Sequence, residues 1–139
     1  MTEDPPPRRP SGRREARERA IELAYEAEIR GASVEELVSG VALTPDPFVI
    51  ELLTTAENER GRAEALIAER SPRWSIDRMP VIDRLVMRQA VAELLVTDTP
   101  IGVILSEAVE LVSRYSTDES SRFVNGVLAA IARAVRPDD

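Results

Sequence analysis

Six arginines, Arg8, Arg9, Arg13, Arg14, Arg17 and Arg19, crowd into one short stretch that holds only two acids, Glu15 and Glu18. The stretch has a local charge of +4 in a chain of net charge −7, which leaves −11 for the remaining residues. Such a separation predicts two kinds of partner, a polyanion met by the arm and a basic surface met by the body. Every one of the 18 basic residues is Arg, which suits planar phosphate contacts and stacking on bases. A compositional bias accounts for the lack of Lys more simply.

At 100° per residue, a helix beginning near Arg13 places Arg14, Arg17, Ile21 and Tyr25 along one flank, outside a stripe of small apolar residues. On this reading Arg13, Arg14 and Arg17 neutralise phosphates, and the exposed Tyr25 ring stacks on an unpaired base, as in single-strand recognition. The helix N-terminus adds its own partial positive charge. The competing reading is a solvated, salt-bridged helix end, with Arg14 and Arg17 paired to Glu18 and Glu28.

Composition removes much other chemistry. With no His and no Cys, the usual general base, thiolate nucleophiles, disulfides and most zinc sites are absent, so no catalytic residue, metal or cofactor is expected. No apolar run approaches the roughly 18 residues needed to cross a bilayer. The first residues, with Pro5, Pro6, Pro7, Arg8 and Arg9, lack the apolar core of a signal peptide. A soluble cytoplasmic protein without membrane contact is the expectation.

The elements that position these residues are helical. The chain is 43% apolar with only five aromatic residues, so Leu, Ile, Val and Ala must build the core. Residues 1–12, with four prolines, Ser11 and Gly12, read as a disordered Pro/Arg-rich arm. Ala16, Ala20, Leu23, Ala24 and Ala27 then recur at helical spacing up to Gly31. Ser33 with Glu36 has capping-box spacing for a short helix. Thr44 or Asp46 caps the next, with Phe48, Val49, Leu52 and Leu53 facing inward and Gly61 dividing or kinking it.

Trp74, beside Pro72, reads as a plug between an N-terminal subdomain (13–74) and a C-terminal one (75–139) of one compact domain. Residues 81–95 are apolar nearly all round, as in the central helix of a bundle. Thr99 is the expected cap of a following helix with Pro100 at its first position, and Ser116 with Glu119 has capping-box spacing for the last. Gly126 inside that helix predicts a close backbone approach, and Arg88 and Glu107, in otherwise apolar helices, predict a buried pair or network. No segment alternates with period two, so the fold class is all-α.

Several of these segments carry a resemblance. Arg13-Arg14-Glu15-Ala16-Arg17 running into Ala20, Ile21 and Tyr25, then Trp74 with Ile76-Asp77-Arg78-Met79, then Ile82-Asp83-Arg84 and Met87-Arg88, resemble the NusB family of bacterial transcription antitermination factors. Asp98-Thr99-Pro100, Glu107-Ala108-Val109-Glu110-Leu111 and the distinctive Phe123-Val124-Asn125-Gly126-Val127-Leu128 complete it, over residues 13 to 135. The resemblance implies two perpendicular helical bundles. It further implies binding of the boxA element of ribosomal RNA leader transcripts, jointly with NusE, a small-subunit ribosomal protein, in the RNA polymerase antitermination complex.

The same resemblance adds Phe123 and Asp83 to the expected RNA-binding residues. Phe123 would present a partly exposed ring, and Asp83 would accept hydrogen bonds from base amino groups; their plain alternatives are a core aromatic and a surface acid. A related helical domain accompanies the catalytic domain of some ribosomal RNA cytosine methyltransferases, but those enzymes need a catalytic Cys and a Gly-rich cofactor turn. The other reading is a helical protein-interaction module, a homodimer or adaptor, without specific RNA binding.

Overall fold

In the computed structural model, which describes residues 12–42 and 44–139, the arginine-bearing segment is already helical from Gly12. Helix α1 (Gly12–Arg30) ends at Gly31, whose φ of 64° lies in the left-handed region that favours glycine. Ser33 caps α2 (Val34–Gly40) by accepting from the Glu36 amide at 3.1 Å, and Asp46 caps α3 (Pro47–Asn58) by accepting from the Phe48 amide at 3.0 Å. These caps satisfy amides that the first helical turn leaves without partners.

Three boundaries differ from expectation. The division between α3 and α4 (Arg60–Glu69) falls at Glu59, and Gly61 lies within the first turn of α4. Helix α6 (Ile101–Tyr115) is preceded by Pro100, not Thr99, in the capping position, because Pro100 holds extended backbone while its carbonyl accepts from Val103 and Ile104. Helix α7 (Asp118–Val135) is capped one residue late by Thr117, whose hydroxyl accepts from the Ser120 amide at 3.1 Å.

Helix α5 (Val81–Val96) follows a short 3-10 turn at Ile76–Arg78 and is the centre of the molecule, with every residue from Leu85 to Leu94 buried. It packs against α1, α3, α4, α6 and α7. One apolar cluster joins α5, α6 and α7 to Ile21 of α1 and to Ala63 and Ile67 of α4. A smaller one joins α1, α2 and α3 through Ala16, Ala20, Leu23, Leu37, Leu52 and Leu53. Helix α1 therefore faces two cores at once.

The fold is all-α, in two helical bundles, with no strand among the described residues. No helix there is long and apolar enough to cross a membrane. The arm expected over residues 1–12 lies outside the described residues up to Ser11.

Candidate nucleic-acid interface

The wide buried arc of α1 decides which arginines reach the surface. Arg13 and Arg14 are exposed, whereas Arg17 and Ile21, expected on an outward flank, are only 4% and 2% exposed. The expectation took account of the small-residue stripe alone. The second flank of α1 lies on the core around α5, and it carries Arg17 and Ile21 inward.

Arg17 is held there by Glu93. Its Nη2 donates to Oε1 at 2.7 Å and its Nε to Oε2 at 3.1 Å, a parallel fork between two buried groups. Burial works against the Arg17 charge, but hydrogen bonding and attraction from Glu93 outweigh it, and the pKa is raised. The Phe48 ring covers this end of α1, with the Arg13 guanidinium 4.7 Å and that of Arg17 5.6 Å from its centroid. Arg13 makes no ion pair with a described residue.

Arg14 is committed differently. Its Nε donates to both carboxylate oxygens of Glu107, at 3.2 and 3.1 Å, and its Nη2 lies 3.1 Å from Glu107 Oε1 and 3.2 Å from Glu110 Oε2. The Glu107 hydrogen bonds, with the attraction of both glutamates, raise the Arg14 pKa. Arg114 continues the chain, pairing with Glu110 at 3.1 Å and with Glu18, which also accepts from the Tyr115 hydroxyl. Neither Arg14 nor Arg17 pairs with Glu18 or Glu28; Glu28 meets Arg84 at 2.8 Å.

The remaining expected residues separate widely. Tyr25 is 40% exposed and lies about three turns beyond Arg14, roughly 17 Å along the axis at 1.5 Å per residue. Phe123 is half-buried, its ring 5.0 Å from that of Trp74 at an interplanar angle of 67°. Both rings pack against the larger core and keep part of their surface exposed. Asp83 is fully buried, and neither carboxylate oxygen has a hydrogen-bond partner among the described residues, so it is neither a surface acid nor within reach of a base.

Two further expectations are corrected. Gly126 is exposed, and a Cβ built there would meet nothing within 4 Å, so no backbone approaches it. Arg88 and Glu107 do not meet, since Arg88 pairs with Glu64 at 2.7 Å while Glu107 faces Arg14. Burial, with repulsion from Arg60, lowers the Arg88 pKa.

Sequence reasoning also missed Phe48, Glu93 and Glu110. Glu93 carried a usable signal, an acid within an apolar central helix, which requires a buried cation opposite. Among the described residues, no group of His, Cys, Asp and Glu is placed to hold a metal ion. What the surface offers is guanidinium groups at the start of α1 and partly exposed rings on α1 and α7.

Residues 14–133 match the NusB family. The transcription antitermination protein NusB of Thermobifida fusca is 41% identical over 129 residues, covering 89% of this chain and 91% of its own length. The fold superposes on T. maritima NusB with a TM-score of 0.77 at 32% identity, covering 87% of this chain and 90% of that one. It also superposes on a chain from a crystal structure of antitermination factors NusB and NusE in complex with dsRNA, with a TM-score of 0.73 at 30% identity, covering 88% of this chain and 96% of that one. By sequence over nearly its whole length and by fold, this chain belongs to the NusB family.

Proposed function

We infer that the protein is a transcription antitermination factor that binds RNA together with NusE and acts on elongating RNA polymerase. The observation that carries this reading is the family match over residues 14–133, which takes in α1 from Arg14 onward, the Trp74–Phe123 pair and the central helix between them. A structural neighbour solved with NusE and RNA supports both partners. The acidic body is complementary in charge to a basic ribosomal protein.

Within this reading, Arg13 and Arg14 contact phosphates, and the exposed faces of Phe123 and Tyr25 receive unpaired bases. Arg17 acts indirectly, by fixing the turn that presents its two neighbours, and Asp83 acts within the core. The finer assignment, to the boxA element, rests on the family resemblance. No step of this function requires bond-making chemistry by the protein.

The test is fluorescence anisotropy of a labelled boxA RNA and a scrambled control, titrated with the protein with and without NusE. Tighter binding to boxA, improved by NusE, is expected. Equal binding of both strands under both conditions would remove the boxA assignment and return the chain to a protein-interaction role.

A further inference from the structure

Of the two exposed arginines in the first turn of α1, only Arg14 is held by two carboxylates at once. Glu107 is mostly shielded, its side chain 13% exposed against 54% for Arg14, so the guanidinium lies over an acid that solvent barely reaches. Glu110 bridges Arg14 to Arg114, and Arg114 bridges onward to Glu18. Three glutamates against two arginines leave this cluster with a formal charge of −1, so a phosphate nearing Arg14 meets a guanidinium that is already paired.

These ion pairs are not what fastens α1 to the body. Helix α1 packs against α2, α3 and α5, and its first turns are pinned by the buried Arg17–Glu93 fork. Exposed pairs of the Arg14 kind contribute little to stability and are weak enough to be displaced. Their effect falls on what Arg14 can bind.

We propose that Glu107 and Glu110 are positioning residues that form an acidic gate on Arg14, holding its guanidinium against α6 until an RNA phosphate displaces them. The gate rests on the RNA-binding reading above and adds to it a cost that every bound strand must meet. A phosphate can take the place of Glu107, because it offers the same two-point geometry to the guanidinium. Unmasking Arg14 therefore tightens RNA binding without changing the number of phosphate contacts in the complex, because Arg14 meets its phosphate in both cases.

The test uses the full chain and a labelled single-stranded RNA, with anisotropy measured over a series of salt concentrations. Glu107→Gln with Glu110→Gln is expected to bind about fivefold more tightly at low salt with the wild-type salt slope, whereas Arg14→Ala should flatten the slope by about 0.7, the value for one single-strand phosphate contact. In an Arg14→Ala background the same pair of changes should lose most of that gain in affinity, because the guanidinium they release is gone. A charge-matched variant, Glu57→Gln with Glu69→Gln on α3 and α4, should leave the affinity near its wild-type value.

Binding no tighter than wild type, or an equal gain without Arg14 or in the charge-matched variant, would each overturn the gate. If the double variant fails to melt cooperatively, Glu110→Gln alone carries the test, with a gain of about twofold expected and none overturning it. Failure of the wild-type protein to bind RNA at any salt concentration would sink the functional reading as well; binding by wild type without a gain in the variant removes the gate alone.

Discussion

The Arg17 guanidinium and the Glu93 carboxylate, 76 residues apart, form a two-point ion pair in which each side chain is only 5% exposed. The pair locks the second turn of α1 onto the end of the central helix, beneath the ring of Phe48. Arg13 and Arg14, on the turn before it, reach the surface.

Removing one partner leaves an uncompensated buried charge. Arg17→Met and Glu93→Leu should each lower stability by about 3–5 kcal/mol, whereas the double substitution should cost less than either alone. Urea denaturation of the three variants measures this, and additive losses would show that the two groups do not stabilise each other. Since the folded-state pKa of Arg17 is raised, its contribution is complete below the ordinary guanidinium value and does not titrate across the neutral range.

A second arginine closes the other end of α5. Arg136 donates to the carbonyls of Leu94, Glu93, Thr97 and Thr99 at 2.9, 3.0, 2.6 and 2.6 Å, gathering oxygens of the helix end and the following loop, of which that of Glu93 also accepts from the Thr97 amide. Its substitution by Ala should cost about 2 kcal/mol, the scale of hydrogen bonds from a charged donor. Arg136→Lys should recover only part, since an ammonium cannot span four carbonyls. Thermal melts of the two variants decide it, and equal melting temperatures for wild type and Arg136→Ala would show that solvent replaces the clasp without loss.

The Tyr115 hydroxyl donates to Glu18, and this hydrogen bond, followed by partial burial, raises its pKa. A raised folded-state pKa means the contact contributes fully below the ordinary tyrosine value near 10 and is lost as pH rises through the higher folded value. Alkaline titration followed by tyrosinate absorbance should therefore show one late-ionising ring, brought back toward the ordinary value by Glu18→Gln. An unchanged titration curve in that variant would place the cause of the shift elsewhere.

Local features were the readable part of this chain. Ser33 and Asp46 cap their helices because a cap depends on a few neighbouring residues, and the all-round apolarity of residues 81–95 places α5 at the centre. The side of α1 that is buried depends instead on which helices pack against it. A helical wheel shows the alanine stripe but not the second core that takes in Ile21 and, beside it, Arg17. Asp83 escaped for a similar reason: it falls in the first turn of α5, where an acid usually faces water and favours the helix dipole, yet packing encloses it. The Asn125–Gly126 step stands out in sequence, but both residues are exposed, so helix packing supplies no account of it.

Phe123 offers a way to separate a ring that packs from a ring that also binds. Its edge-on contact with Trp74 and its place against the core mean that Phe123→Ala loses packing as well as any stacking face. Phe123→Leu keeps most of the apolar volume and removes the π surface. If the exposed face of the ring receives a base, Phe123→Leu should weaken RNA binding by about 1–3 kcal/mol, the range for one base–aromatic stack. Its unfolding midpoint should fall far less than that of Phe123→Ala. The salt slope should stay at the wild-type value in both variants, because a stacked base releases no counterions. Wild-type affinity in Phe123→Leu would confine the ring to the core contact with Trp74 and leave the arginines of α1 as the main source of RNA affinity.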